Sequence, residues 1–448
     1  METEGENAFV MNGGTPLKGV VHLSGAKNVA LKILIAALLC NKKAVFHNIP
    51  QLRDIRELVS LLESIGVKIE TSGGAVEVDS GALKTHKVDL LYGSRIRTSF
   101  MLFAPFIFRF GKAEIPNPGG CRIGARPIDR QIDLMEAFGV TTQYDSSTGY
   151  YSAHLRNASL NAAEYTFTKK THTGTELALM FAVIAQGNSV IRNAAREPEI
   201  DSLIDFFNVC GAHIQRKEDA LFVEGVKELT PPSEPFSIQL DRNEAVTYAV
   251  FAYATKGDIL VSGANPSHLK TFLQHLEKIG AKYDVGPEGI RFYHAGSLHA
   301  SDITTAPEPG FMTDWQAPWA VLMTQAQGTS TIHETVFENR FGYVDELKKL
   351  GASIEFYEPS VHNPEEVYQF DFKTKKDKLF SQAIRIDGPR ALHGGVMNVT
   401  DMRAGATLLI GAAAAQGESV IVGAAEIDRG YQHIEVKLAS LGARITRI

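Results

Sequence analysis

Cysteine is scarce in this chain, with three in 448 residues. That is too few for a disulfide framework, so the small secreted scaffolds are excluded and a reducing compartment fits. No apolar run approaches the length of a membrane span; Phe100 to Phe108 is among the longest. The opening residues Met1-Glu2-Thr3-Glu4-Gly5-Glu6 are acidic and lack the basic-then-apolar order of a signal peptide. Positive charge is not in excess either. A net charge of -6 argues against a nucleic-acid-binding surface, while leaving room for a local basic pocket around a small anion. The fourteen histidines show no zinc-like spacing, so no metal is expected. These absences describe a cytoplasmic protein with neither membrane nor nucleic acid as partner. Its 44% hydrophobic and 21% charged residues are ordinary for a soluble globular chain.

The organisation that is present is a repeat. Six times an apolar, helix-like segment leads into a short β-branched run, a second amphipathic helix and a glycine-containing turn into a strand. The closing signals are Ile65-Gly66-Val67, Phe138-Gly139-Val140, Cys210-Gly211-Ala212, Ile279-Gly280-Ala281, Leu350-Gly351-Ala352 and Leu441-Gly442-Ala443. Glycine just past a helix supplies the left-handed conformation that ends it. In the first repeat Leu31 to Leu39 is apolar nearly all round, which predicts a buried helix, and Ala44 to Asn48 reads as a strand. Asp54 to Ser64 carries one apolar face, and Val67 to Glu70 alternates as a half-buried strand does. The pattern is α/β, and the length suits two domains of three repeats each. The crossing is expected in Thr230-Pro231-Pro232-Ser233-Glu234-Pro235.

Polar motifs open the first helix of each repeat: Ser24-Gly25-Ala26-Lys27-Asn28, Arg95-Ile96-Arg97-Thr98-Ser99 and Lys170-Thr171-His172-Thr173-Gly174-Thr175-Glu176 in the first half. Asp241-Arg242-Asn243-Glu244, Thr313-Asp314-Trp315-Gln316 and Thr400-Asp401-Met402-Arg403 do so in the second. Ser24, Asp241, Asp314 and Asp401 are residue types that cap helices. A cap needs no cation, however, and Arg97, Arg126, Arg340 and Arg403 recur beside such starts. A helix N-terminus with a cation beside it suits an anion. Pro116-Asn117-Pro118-Gly119-Gly120-Cys121-Arg122-Ile123-Gly124-Ala125-Arg126-Pro127 is too rich in Gly and Pro for helix or central strand and reads as a loop. Arg122 and Arg126 favour the thiolate of Cys121. On local chemistry alone an incidental cysteine in a surface turn is an equal reading. Cys40 and Cys210 lie in apolar helical stretches and read as inert core residues.

Across essentially its whole length the chain resembles the UDP-N-acetylglucosamine enolpyruvyl transferase family. The stretches that carry the resemblance are Ser24 to Asn28, Pro118 to Cys121 with Ile123 to Pro127, and Asn193 to Glu199. Thr313-Asp314, Glu334 to Phe341, Thr400 to Arg403 and Ile427 to Tyr431 complete it. The resemblance implies a two-domain inside-out α/β barrel, each domain of three βαβαββ repeats. Residues 26-235 would form the domain with the Cys121 loop. Residues 1-25 and 236-448 would form the other, with the active site in the cleft between them.

The implied reaction moves the enolpyruvyl group of phosphoenolpyruvate to the 3′-hydroxyl of UDP-N-acetylglucosamine and releases phosphate, without cofactor or metal. By resemblance Cys121 is the general acid and can also form a covalent adduct, and Asp314 accepts the hydroxyl proton. Lys27, Arg97, Arg126, Arg340 and Arg403 are then the cations on phosphate and carboxylate, with Lys27 and Arg403 also catalytic. Asn28 is implied beside Lys27 on the substrate. Arg126, Pro127, Ile128, Asp129 and Arg130, together with Lys170, Thr171, His172 and Thr173, match nucleotide-sugar segments, and Val336 a uridine-side contact. The Cys121 loop is expected to act as a lid.

The chain departs from the family pattern where His172 to Glu176 replaces Ser-Val-Gly-Ala-Thr. It departs again at Asn243 and Val246, at Lys32 where proline is usual, and at Thr98. An enolpyruvyl transferase for another nucleotide or phosphorylated acceptor, and a non-catalytic nucleotide-sugar-binding paralogue, remain the alternatives.

Overall fold

The first helices of the repeats are largely apolar and the chain buries them, the second repeat's least completely, with Phe108 and Arg109 exposed. In the computed structural model, which describes residues 7–120, 124, 126–157, 159–370 and 381–448, all thirteen residues of the helix Arg242–Ala254 are buried. That helix packs against Thr313–Thr324 and Met402–Ala414, which pack against each other. The second helices are one-sided: in Arg53–Ser64 the buried positions are Asp54, Ile55, Leu58, Leu61 and Leu62, one helical face.

The chain divides into two compact units. One, here the Asp314 unit, gathers the residues up to Ser24, the short stretch through Arg126, and Leu240–Ile448. The other, the Lys27 unit, holds the remainder of Gly25–Gln239. Each contains three sheets built to one plan. In the third repeat Glu164–Thr166 runs parallel to Asn188–Arg192, which pairs antiparallel with Ala220–Glu224, which pairs antiparallel with His213–Lys217. With the intervening helices His172–Ala182 and Pro198–Val209 this is a βαβαββ unit. In the second repeat the parallel edge shrinks to a single bridge, Lys87 to Glu114.

Two sheets of the Asp314 unit are completed by the start of the chain. Lys18–His22 is the parallel edge beside Asp258–Ser262, and Ala8–Asn12 pairs antiparallel with both Glu418–Val422 and Arg444–Arg447. The glycines that close the six repeats, Gly66, Gly139, Gly211, Gly280, Gly351 and Gly442, all have positive φ, between 80° and 102°. The left-handed cap inferred from the sequence is therefore the device used.

The structure corrects two local expectations. The crossing falls at Gln239/Leu240, not in Thr230 to Pro235. After the prolines the chain still supplies the parallel edge of the first repeat's sheet, with Phe236 opposite Phe46 and its ring 5.4 Å from that of Phe206. The second repeat's inner helix opens as a 3-10 segment, Arg97–Leu102, and becomes α only at Phe103–Phe110. Pro105 explains this. It is tolerated in the first turn of a helix, but deep inside one begun at Arg97 it would clash and leave a carbonyl unbonded. Ser99 adds to the effect, its hydroxyl donating to the Gly93 and Ile96 carbonyls at 2.8 and 3.0 Å. Among the described residues no helix is long and apolar enough to cross a membrane.

Gly25 shows how closely the helix carrying Lys27 is fitted. A Cβ there would lie 1.9 Å from the Asn48 carbonyl oxygen, a backbone atom with no room to yield. Asn48 is itself fixed, with φ 61° and its amide donating to the Ile238 carbonyl at 2.8 Å. Gly25→Ala is therefore expected to lower stability by about 1–3 kcal/mol or more, read as a loss of chemical-denaturation midpoint. An unchanged midpoint would mean the close approach is not real.

Candidate active site

In the Asp314 unit the first helices of the repeats begin near one another. Asp241 caps one, accepting from the Asn243 and Glu244 amides at 2.7 and 3.3 Å. Asp401 caps another, accepting from Arg403 and Ala404 at 2.9 and 3.1 Å. The middle helix, Thr313–Thr324, has no side-chain cap, and Asp314 is its second residue. Asp314 pairs instead with cations. One carboxylate oxygen meets the Arg340 guanidinium and the other lies 3.6 Å from Arg403 Nε. Pro318 has no N–H to donate to the Asp314 carbonyl four residues earlier, so the first turn lacks one helical bond. Aromatic packing helps to fix this part of the helix, with Trp315 and Trp319 fully buried against Phe272 and Phe311.

Both guanidiniums are buried, at 5% and 3% side-chain exposure, against 17% for Asp314. The carboxylate is thus the accessible member. Burial opposes the charge on Arg340, but Asp314, Asp401 and Glu334 together raise its pKa above the ordinary value. Burial likewise opposes Arg403, and Tyr431, Asp314 and Asp241 overcome it. Arg403 donates to the Tyr431 hydroxyl at 2.9 Å, which shares a 2.8 Å hydrogen bond with Thr247. Gln316 donates to the Arg340 carbonyl at 3.1 Å and accepts from the Tyr343 hydroxyl at 2.7 Å. Glu334, fully buried, accepts from Thr313 Oγ1 at 2.8 Å and from the amides of Val336 and Phe337 at 2.8 and 3.0 Å. Burial pushes its pKa up, opposed chiefly by Arg340. The Phe337 ring faces two cations, Arg340 at 5.6 Å and Arg126 at 5.8 Å. Arg126 itself has a left-handed φ of 47°.

In the Lys27 unit, Lys27 is the first residue of the helix Lys27–Ala36 and is 4% exposed. Its ammonium lies 3.0 Å from Asp54 Oδ2, and Asp54 belongs to the first turn of Arg53–Ser64. Asn28 beside it is half-buried, as is Arg97 at the start of its 3-10 segment. Pro127 and Asp129 are exposed, Ile128 is buried, and burial lowers the pKa of half-buried Arg130. Lys170 lies 3.7 Å from Asp219, and Thr171 caps the helix His172–Ala182 by accepting from the Gly174 amide at 3.2 Å. Thr173 is half-buried in the first turn. Cys121 lies outside the described residues, as do Arg122, Ile123 and Ala125. Cys40 and Cys210 are buried, each just past a helical segment and not within one.

Of the sequence residues, Asp314, Arg340, Arg403, Val336 and Arg126 fall in one unit, where Asp314 meets both Arg340 and Arg403, and Lys27, Asn28, Arg97, Arg130 and Lys170 to Thr173 fall in the other. The family model described as EPSP synthase (3-phosphoshikimate 1-carboxyvinyltransferase) matches residues 11–438. The chain belongs to this carboxyvinyltransferase family. A protein named UDP-N-acetylglucosamine 1-carboxyvinyltransferase from Desulfosudis oleivorans is 37% identical over 441 residues, covering 98% of this chain and 99% of its own. One of the same name from Sorangium cellulosum is 39% identical over 445 residues, covering 98% of each chain. Among solved structures, the enolpyruvyl transferase NikO from Streptomyces tendae covers 99% of both chains with a TM-score of 0.83 at 22% identity. EPSP synthase from Acinetobacter baumannii covers 98% of this chain and 100% of its own at a TM-score of 0.73 and 15% identity. These two likenesses establish the two-domain α/β fold of the family.

For a carboxyvinyltransferase, the residues that sequence reasoning passed over are those behind the cations. Tyr431 and Glu334 lay inside motifs already singled out, but nothing local said that one would hold Arg403 and the other the turn before Arg340. Asp54 gave no signal beyond being acidic at a helix start. One departure finds a use: the Asn243 side chain accepts from Trp315 Nε1 at 2.9 Å, tying the fourth repeat's helix to the residue after Asp314.

Proposed function

We propose that this carboxyvinyltransferase moves the enolpyruvyl group of phosphoenolpyruvate to the 3′-hydroxyl of UDP-N-acetylglucosamine, releasing phosphate. The first committed step of peptidoglycan synthesis would then be its task, in the cytoplasm, serving cell wall biogenesis, cell shape and division. The observation that carries the reading is Asp314, the accessible carboxylate between two buried guanidiniums. Donor and acceptor are both anionic, and arginine suits their phosphate and carboxylate oxygens. As those oxygens engage Arg340 and Arg403, Asp314 gives up part of its own pairing and its affinity for a proton rises. It then takes the 3′-hydroxyl proton while the oxygen bonds to C2 of the enolpyruvyl group. A proton is delivered to C3, the role proposed for Cys121. The tetrahedral intermediate then returns a C3 proton to the thiolate that supplied one as the C2–O bond to phosphate breaks, restoring the double bond, and the departing phosphate carries off the proton taken up by Asp314. Lys27, Arg97, Arg126, Arg340 and Arg403 stabilise the charge that shifts onto phosphate. Asn28, Pro127 to Arg130, Lys170 to Thr173 and Val336 are the residues proposed to bind the substrates.

The test is phosphate release from phosphoenolpyruvate by the purified protein, with UDP-N-acetylglucosamine, UDP-N-acetylgalactosamine and shikimate 3-phosphate in parallel. Release with the first alone is expected. Release only with shikimate 3-phosphate would overturn the acceptor. Cys121→Ser is expected to lower turnover by about 10²–10⁴-fold, the range for a positioned proton donor; near-normal turnover would remove Cys121 from that role.

A further inference from the structure

Three positions at which the sequence departs from its family's pattern, Lys32, His172 and Glu176, meet in one charged cluster. Glu176 is 1% exposed, in the second turn of His172–Ala182. One of its oxygens lies 3.4 Å from the ammonium of Lys32, itself 5% exposed on Lys27–Ala36, and 3.3 Å from His172 Nε2. Neither oxygen receives an aligned hydrogen bond among the described residues. Such a carboxylate is costly unless both cations stay charged beside it. His172 is the first residue of its helix; its Nε2 is buried, yet a quarter of the side chain is exposed.

The geometry divides the work of the two ring nitrogens. Nε2 lies 3.3 Å from a Glu176 oxygen, not aligned for a hydrogen bond but close enough for the carboxylate's charge to hold a neutral ring's proton on that nitrogen, and Nδ1 is left an acceptor, which repels an anion's oxygen. Only the imidazolium carries a second proton, on Nδ1, and can grip a phosphate oxygen. We propose that Glu176, tied to Lys32, is a positioning residue that turns His172 into a pH-gated donor to the phosphate of the nucleotide-sugar acceptor. This rests on the proposed function for the acceptor's identity. The charged groups facing the imidazole are Glu176 on its own helix, Glu197 from the residue before Pro198–Val209, and Lys32 from Lys27–Ala36. Burial and Lys32 oppose its charge, but the two carboxylates win and its pKa lies above the ordinary value. The grip is therefore present at low pH and lost as pH rises through that raised pKa.

The test follows the His172 ring by NMR in histidine-labelled protein, with His172→Gln identifying the signal, and the acceptor KM across pH. In the parent protein the acceptor KM is expected to rise about tenfold as the imidazolium deprotonates, the effect of one charge-assisted hydrogen bond, while the KM for phosphoenolpyruvate does not follow. In Glu176→Gln the His172 titration moves to lower pH and the KM inflection moves with it. His172→Gln flattens the profile. Saturating UDP raises the His172 pKa in the parent protein. An unmoved His172 titration in Glu176→Gln, or one indifferent to UDP, overturns the inference even in an enzyme that turns over. If Glu176→Gln fails to fold, the His172→Gln profile decides: an inflection that persists overturns it. Failure of turnover with every acceptor, alongside the expected titrations, would instead count against the proposed function alone.

Discussion

Asp314→Asn is expected to lower kcat for phosphate release by about 10²–10⁴-fold, the contribution of a positioned general base. The substitution keeps the side chain's size and removes only the charge and the ability to take a proton. It also leaves Arg340 and Arg403, buried at 6% and 2%, facing a neutral amide. Breaking a buried pair outright costs about 3–5 kcal/mol, and the amide oxygen recovers part of that as an acceptor. Arg340 keeps the Thr313 carbonyl at 3.4 Å and Arg403 keeps the Tyr431 hydroxyl. The variant should therefore fold, with a lower denaturation midpoint, and fail in turnover. A kcat within threefold of the parent's would take proton transfer away from Asp314 and leave it a structural counter-ion.

Lys27→Met is expected to be the next most damaging change, with turnover lower by about 10²–10³-fold, as for loss of one oriented electrostatic contact in a transition state. Methionine reproduces the length and apolar stem but not the ammonium. Asp54, 7% exposed, then loses a cation at 3.0 Å, and breaking a buried pair by removing one partner costs up to about 3–5 kcal/mol. The double variant Lys27→Met with Asp54→Asn separates the two effects. Stability should return in part because the buried carboxylate charge is gone, whereas turnover should not. Recovery of both would make Lys27 a partner of Asp54 and nothing more.

What was legible in the sequence follows from local physics. Six glycines stand where helices must end, because a left-handed residue closes the turn, and their spacing alone marks the repeat. The apolar surround of Leu31 to Leu39 announces burial on all sides, because no polar face is left for water, and all nine residues are buried. The cations beside helix starts were visible too, since Arg340 and Arg403 do nothing for a cap. Where local rules failed, a long-range demand had intervened. Phe236 returns to pair with Phe46, so the crossing sits past the prolines that seemed to mark it. Pro105 delays the α-helix of the second repeat.

The sequence by itself determined the repeat, the buried inner helices and the residue types of the chemistry, because each is written in spacing along one chain. Only the tertiary structure decided partners. That Asp314 stands between Arg340 and Arg403, that Tyr431 joins Arg403 to Thr247, and that Glu176 is shared by Lys32 and His172 all depend on contacts between elements distant in sequence or on the burial those contacts impose. Periodicity gives the face a side chain lies on, whereas ion pairing in a low-dielectric interior depends on distances of a few ångströms, which packing alone sets.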